Sequence, residues 1–196
     1  MIYLIGGSSR SGKTTIARKL SEKLGVPWIS IDSMRPLIKP YLSSENLPFD
    51  RLWADQDNDL LFNRYSSDTL VRASITEARA LWPGVKGFIQ HNILISQDYI
   101  IEGEQLLPEL IVELQRENFW ESVKVIYLVR LDENKALQDI KKNRTEHDWL
   151  TLHSTKEETL EKAAKMICTL GRVLQKGAEE YGFQALVVVL ENSNMA

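Results

Sequence analysis

The chain has 196 residues, 43% of them hydrophobic and 26% charged, with a formal net charge of −3. That length and balance fit a globular protein of one domain, and the slight acidity excludes a global field for nucleic acid, so no nucleic-acid partner is expected. No apolar run approaches the ~20 residues of a membrane span, and the single cysteine, Cys168, cannot form an internal disulfide, so a cytoplasmic protein without a membrane partner is expected.

Residues 2–5 are a short apolar run closed by Gly6 and Gly7, the pattern of a buried strand. Ile16, Ala17, Leu20 and Leu24 recur at helical spacing and predict a helix over 13–24, stopped by Gly25 and Pro27. Further short strands are expected at 28–31, 97–101, 123–129 and 184–190, and helices at 105–117, 132–144 and about 156–181. Thr155 and Glu158 have the spacing of a capping box for the last helix, and Gly182 closes it. Cys168 lies on its apolar face with Ala163, Ala164, Ile167 and Leu170 and reads as a buried structural thiol. Apolar strands alternating with helices indicate a parallel sheet covered on both faces.

Residues 33–97 are far more than one crossover helix needs. A structureless loop of that length is improbable, so a mostly helical subdomain is expected, with a turn at Pro83 and Gly84. An excursion at the carboxyl end of a parallel sheet lies beside the usual ligand crevice, which makes it an acceptor-binding subdomain; a packing decoration is the alternative.

The chemistry is concentrated in Gly7-Ser8-Ser9-Arg10-Ser11-Gly12-Lys13-Thr14, which matches the phosphate-binding G-x-x-x-x-G-K-[ST] motif without a mismatch. A strand precedes it and a helix follows, as the motif requires. Such a loop turns successive backbone N–H groups inward as an anion nest, and the helix start adds its positive end. Lys13 is expected on the β- and γ-phosphates of ATP, the Thr14 hydroxyl on Mg²⁺, and Thr15 beside them. No N-K-x-D guanine signature is present, which favours ATP over GTP.

With these residues in place, the chain resembles the small P-loop kinases of the adenylate, shikimate and gluconate kinase type. Within them it is most similar to the 2-phosphoglycerate kinase-like and zeta-toxin-like branch, through Glu102-Gly103 at the end of the third strand. That branch often carries a His two residues after the Gly, where this chain has Gln105. The resemblance implies an α/β, three-layer P-loop fold with a five-stranded parallel sheet of order 2-3-1-4-5, a helical acceptor-binding insertion and a lid at about 130–150. It also implies that Asp32 orients or accepts the proton of the acceptor hydroxyl, the alternative being a cap for a helix starting at Ser33. Arg35, one turn on, is expected either to grip an anionic group of the acceptor or to be a surface arginine. Glu102 occupies the place of a metal-shell carboxylate or contacts substrate, while Glu104 is read as a cap for the helix that follows. In the lid, Lys141 and Arg144 share a helix face, with Arg144 the better transition-state contact because guanidinium is a planar fork; a solvated basic helix end is the alternative. Glu191-Asn192-Ser193-Asn194 is expected near the adenine.

The remaining features read plainly. His91, His147 and His153 lack metal-ligand spacing, and the five tryptophans read as packing. The leading expectation is an ATP-dependent phosphotransferase acting on a hydroxyl of a small molecule, anionic acceptors included. A slow regulatory ATPase and a kinase of a macromolecule, with a local basic patch of Arg64, Arg72, Arg79 and Lys86, are the alternatives. A monomer is expected, with a dimer left open.

Overall fold

The computed structural model describes residues 1–143 and 149–188. Strand β1 (Ile2–Gly7) leads through the loop 8–12 into helix α1 (Lys13–Leu24), which Gly25 ends in a left-handed conformation. Strand β2 (Trp28–Ser30) passes directly into α2 (Ile31–Ile38). The helix starts earlier than its sequence suggests because Ser30 is its cap: the Ser30 hydroxyl accepts the Asp32 N–H at 3.1 Å. The capping alternative for Asp32 is thereby overturned.

The long excursion is helical, as expected, with α3 (Pro48–Leu52), α4 (Asn58–Arg64) and the 28-residue α5 (Ser67–Leu94). The turn expected at Pro83-Gly84 is absent, and both residues lie inside α5. A buried face carrying Leu70, Ala78, Leu81, Val85 and Ile89 outweighs the ~3 kcal/mol that an interior proline costs. Gly84 serves packing, since a Cβ there would fall 2.7 Å from the Ile38 side chain of α2.

Strand β3 (Tyr99–Gly103) begins and ends two residues later than expected and so includes Glu102. The continuous helix expected at 105–117 is instead α6 (Pro108–Ile111) followed by a 3₁₀ turn over Val112–Arg116. Its N-cap is Leu107, which provides no side-chain acceptor, and Glu104 does not cap it. Strand β4 (Val123–Val129) precedes α7 (Glu133–Lys142), capped by Asp132, which accepts the Lys135 N–H. A short α8 (Trp149–Leu152) precedes α9 (Glu157–Glu180) and strand β5 (Gln184–Val187). The expected Thr155/Glu158 capping box does not form. Asp59 of α4 caps α9 from outside, accepting from the backbone of Thr155 and Lys156 and the hydroxyls of Thr155 and Thr159. Glu158 pairs with Lys162 one turn on.

All strands are parallel, in the order β2-β3-β1-β4-β5 that the resemblance implies. The two faces of the sheet are covered unequally. Ile2 and Leu4 of β1 face a large core shared with α5, α6, α7 and α9, while Ile5 packs with Ala17 of α1 in a small cluster on the other side. Cys168 is fully buried in the large core, and burial pushes its thiol up to about 11. Because every strand runs the same way, Ser8, Asp32, Glu104 and Arg130 all follow strand ends along one edge. No helix among the described residues is long and apolar enough to cross a membrane.

Candidate active site

The loop after β1 takes an anion-cradling shape. Arg10 and Gly12 both have positive φ, 57° and 87°, and Gly12, the N-cap of α1, offers no side-chain cap, so the first N–H groups of the helix are left to a ligand. Gly7 is fixed by packing: with φ of 146°, a Cβ would fall 2.0 Å from the Leu128 carbonyl oxygen of β4. The Lys13 ammonium is buried and donates to the Ser8 carbonyl at 2.8 Å.

The loop separates two cavities. One, of about 650 Å³, is lined by Arg10, Ser11, Gly12, Lys13, Thr14 and Thr15, together with Asp139, Asn143 and Val188. The other, of about 240 Å³, is walled by Ser9, Asp32, Glu104 and Gln105 on the sheet edge and by Arg35, Asp50, Glu77, Phe49, Trp53 and Trp149 on the helical side. The eight-residue motif therefore divides its work. Gly7 and Ser8 line neither cavity, Ser9 faces the smaller one, and residues 10–14 face the larger.

Thr14 Oγ1 donates to Glu102 Oε1 at 3.0 Å. Glu102 is buried, and desolvation raises its pKa; Lys13 and the Thr14 hydrogen bond oppose the shift, while Asp32 adds to it. Asp32 stands in the first turn of α2, and its Oδ1 accepts the Gln105 side-chain N–H at 2.9 Å. The residue that departs from the resembled branch thus holds Asp32. Glu104 accepts the Ser9 hydroxyl. Desolvation, then the nearby Asp32 charge, raises its pKa.

Arg35 lines the smaller cavity, but its guanidinium is bound by Asp50 and by Glu77 at 2.8 Å. Desolvation opposes the Arg35 charge, and these two partners outweigh it, raising its pKa. Lys141 lines neither cavity and pairs with Glu157 of α9. Arg144 and residues 189–196, which include the expected adenine loop, lie outside the described residues.

Several site residues have no motif to announce them. Arg130, only 3% exposed, donates through Nε to the Arg10 carbonyl at 2.6 Å and through a terminal nitrogen to Asp139 at 2.7 Å. Its backbone N–H bonds the Ser8 hydroxyl. Arg10 in turn donates to the Asn143 carbonyl at 2.8 Å, joining the loop to the end of α7. Desolvation lowers the Arg130 pKa against the pull of Asp139. The only sequence signal is a charge placed directly after an apolar strand. Asn58, fully buried, accepts the Trp53 indole N–H at 2.8 Å and donates to the Trp149 carbonyl at 3.0 Å. Trp53 and Trp149 meet edge to face at 5.8 Å, and Phe49 meets Trp149 at 6.5 Å. Two of the five tryptophans therefore wall a cavity, beyond the packing role expected of them.

No family model matches the chain. The 2-phosphoglycerate kinase of Methanocaldococcus jannaschii is 27% identical over 153 residues, covering 72% of this chain and 44% of that protein. The mevalonate-3-phosphate 5-kinase of Thermoplasma acidophilum is 24% identical over 118 residues, covering 60% of this chain and 57% of that protein. Among solved structures, the shikimate kinase of Acinetobacter baumannii in complex with shikimate superposes with a TM-score of 0.50 at 16% identity, over 97% of this chain and 84% of that one. In sequence and in fold the chain is similar to P-loop kinases. Its matched part spans less than half the length of the 2-phosphoglycerate kinases that it resembles. The structural likeness bears on the fold alone, and it agrees with the sheet order found here.

Proposed function

We propose that this chain transfers the γ-phosphoryl group of ATP to a hydroxyl of a small acceptor. The observation that carries the reading is the division of one loop between two cavities, with Ser9 lining one and Arg10–Thr15 the other. A nucleotide in the larger cavity would place its terminal phosphate at the loop, within reach of an acceptor in the smaller one.

In this reading the N–H groups of the loop and the start of α1 bind the phosphates, and the Lys13 ammonium compensates charge on the transferring group. Thr14 and Glu102 offer hard oxygen donors side by side, which fit Mg²⁺ completed by water and phosphate oxygens. The metal supplies charge neutralisation and alignment of the phosphates. Asp32, held by Gln105, orients the acceptor hydroxyl. The acceptor oxygen forms a bond to phosphorus, the bond from phosphorus to the bridging oxygen of ADP breaks, and the hydroxyl proton passes to Asp32. Positioning and charge account for most of the acceleration. Arg130 lines neither cavity and holds the Arg10 carbonyl, so it acts as a positioning residue for the loop.

A polynucleotide acceptor finds less support. In the helical excursion Arg64 pairs with Asp55, Arg79 with Glu109, and Lys86 with Glu113 and Glu117, which offsets three of the four residues of the basic patch; Arg72 donates to the Thr69 hydroxyl. The direct test is ADP release from Mg-ATP across a panel of hydroxyl compounds, with Lys13→Ala as the blank. Stimulation by one acceptor above the rate with water, absent from the blank, is the expected result. ATP binding without stimulation by any acceptor would count against phosphoryl transfer and favour a regulatory ATPase.

A further inference from the structure

Charge in the smaller cavity is unevenly compensated. Among the described residues its charged lining is Asp32, Asp50, Glu77, Glu104 and one cation, Arg35. Arg35 sits between Asp50 and Glu77, the second Glu77 oxygen accepts the Asp50 N–H at 2.9 Å, and Lys39 reaches the second Asp50 oxygen at 2.6 Å. Arg35 and Lys39 thus offset Asp50 and Glu77. Asp32 and Glu104 remain, and their side-chain partners are neutral, the Gln105 amide and the Ser9 hydroxyl.

An anionic acceptor is a poor fit to this lining. It would have to take Arg35 from two carboxylates, then sit beside Asp32, Glu104 and the phosphates of ATP. A cation meets the opposite conditions. Asp32 and Glu104 attract it, and Phe49, Trp53 and Trp149 supply aromatic walls of the kind that hold ammonium groups. The aromatic wall is also fixed in place by Asn58, through the Trp53 indole and the Trp149 carbonyl.

We propose that the acceptor is an amino alcohol: its hydroxyl lies at Asp32, and its protonated amine is held by Glu104 and the aromatic wall. This rests on the reading of the smaller cavity as the acceptor site of a phosphotransferase. It names Glu104 as the residue that selects charge. The product is the phosphate monoester of the amino alcohol, with ADP as the second product. The acceptor class thereby differs from the phosphorylated acids named for the two archaeal relatives.

The test uses two sets of probes matched in skeleton and different in charge: serinol, glycerol and 2-phosphoglycerate; and glucosamine, glucose and glucuronate. Each is titrated calorimetrically into the full chain with Mg-ADP present, and each is assayed separately for ADP release from Mg-ATP. The amine of at least one set is expected to bind about tenfold more tightly than its neutral partner, the size of one desolvated cationic contact, with the anion weakest. Glu104→Gln is expected to weaken the amine about tenfold and to strengthen the anion, opposite movements that loss of folding cannot produce. Tightest binding by the anion, equal binding of amine and neutral partner, equal loss of all probes in Glu104→Gln, or no binding by any probe overturns the inference. The underlying reading fails separately. If the amine binds best and no acceptor stimulates ADP release, phosphoryl transfer is wrong and the charge preference stands. If 2-phosphoglycerate binds best and is phosphorylated, the kinase reading stands and the amino alcohol falls.

Discussion

The two cavities beside the phosphate-binding loop are built in opposite ways. The larger draws most of its lining from the consecutive residues Arg10–Ile16. The smaller gathers residues from Ser9 to Leu170, brought together by β3, α2, α3, α5, α8 and α9. A site made by a local stretch binds through backbone groups and a helix end, and its shape depends little on distant packing. A site assembled over long range inherits its shape and charge from packing, so changes there act on selectivity and stability together.

The largest effect that would sharpen this contrast is expected at Lys13. Lys13→Ala should lower acceptor-stimulated ADP release by about 10³–10⁵, taking as guide the range for an arginine finger on the transferring phosphoryl group, while the melting temperature stays close to that of the wild type. A comparable fall in stability would show that the loop is not separable from the fold. Asp32→Asn should lower kcat by about 10²–10⁴ with little change in ATP affinity. Unchanged turnover would remove Asp32 from the reaction.

Arg130 tests how independent the local site really is. Arg130→Met should destabilise the protein by about 3–5 kcal/mol in urea unfolding, because it leaves Asp139 without its buried partner. Pairing it with Asp139→Leu should recover part of that loss. ATP affinity should stay reduced in the double variant, because the Arg10 carbonyl has lost the guanidinium that holds it. Recovery of both properties together would mean that Arg130 serves stability alone.

The smallest effect belongs to Asp59, which secures the long-range side. Asp59→Ala should cost about 1 kcal/mol, as for loss of a helix cap. Although burial disfavours its charge, hydrogen bonds from Thr155, Thr159 and the Lys156 backbone outweigh that and lower its pKa from 3.8 to about 2. A carboxylate depressed in the folded state contributes stability above its unfolded pKa and loses it as pH falls through the folded value. The stability advantage of the wild type over Asp59→Asn should therefore be full at neutral pH and vanish between about pH 4 and 2. An advantage independent of pH would contradict the capping role.

The sequence alone determined the elements whose causes are local. The loop at 7–14, the helix at 13–24 and the apolar strand at 123–129 were legible because glycine conformation, helix periodicity and an apolar run are properties of consecutive residues. The strand order came from the resemblance to P-loop kinases and agrees with the structure. Asp32, Glu102 and Arg35 could be nominated from their places near strand ends and from the resemblance, but their partners could not. Only the tertiary structure decided that Gln105 holds Asp32, that Asp50 and Glu77 hold Arg35, that Arg130 braces the loop, and that Asp59 in place of Thr155 caps the last helix. It also decided that Pro83 and Gly84 continue a helix, because burial of that helix and close contact with Ile38 outweigh the turn propensity of the pair. Each is a contact between residues distant in sequence, whose energy depends on burial and geometry that no run of consecutive residues encodes.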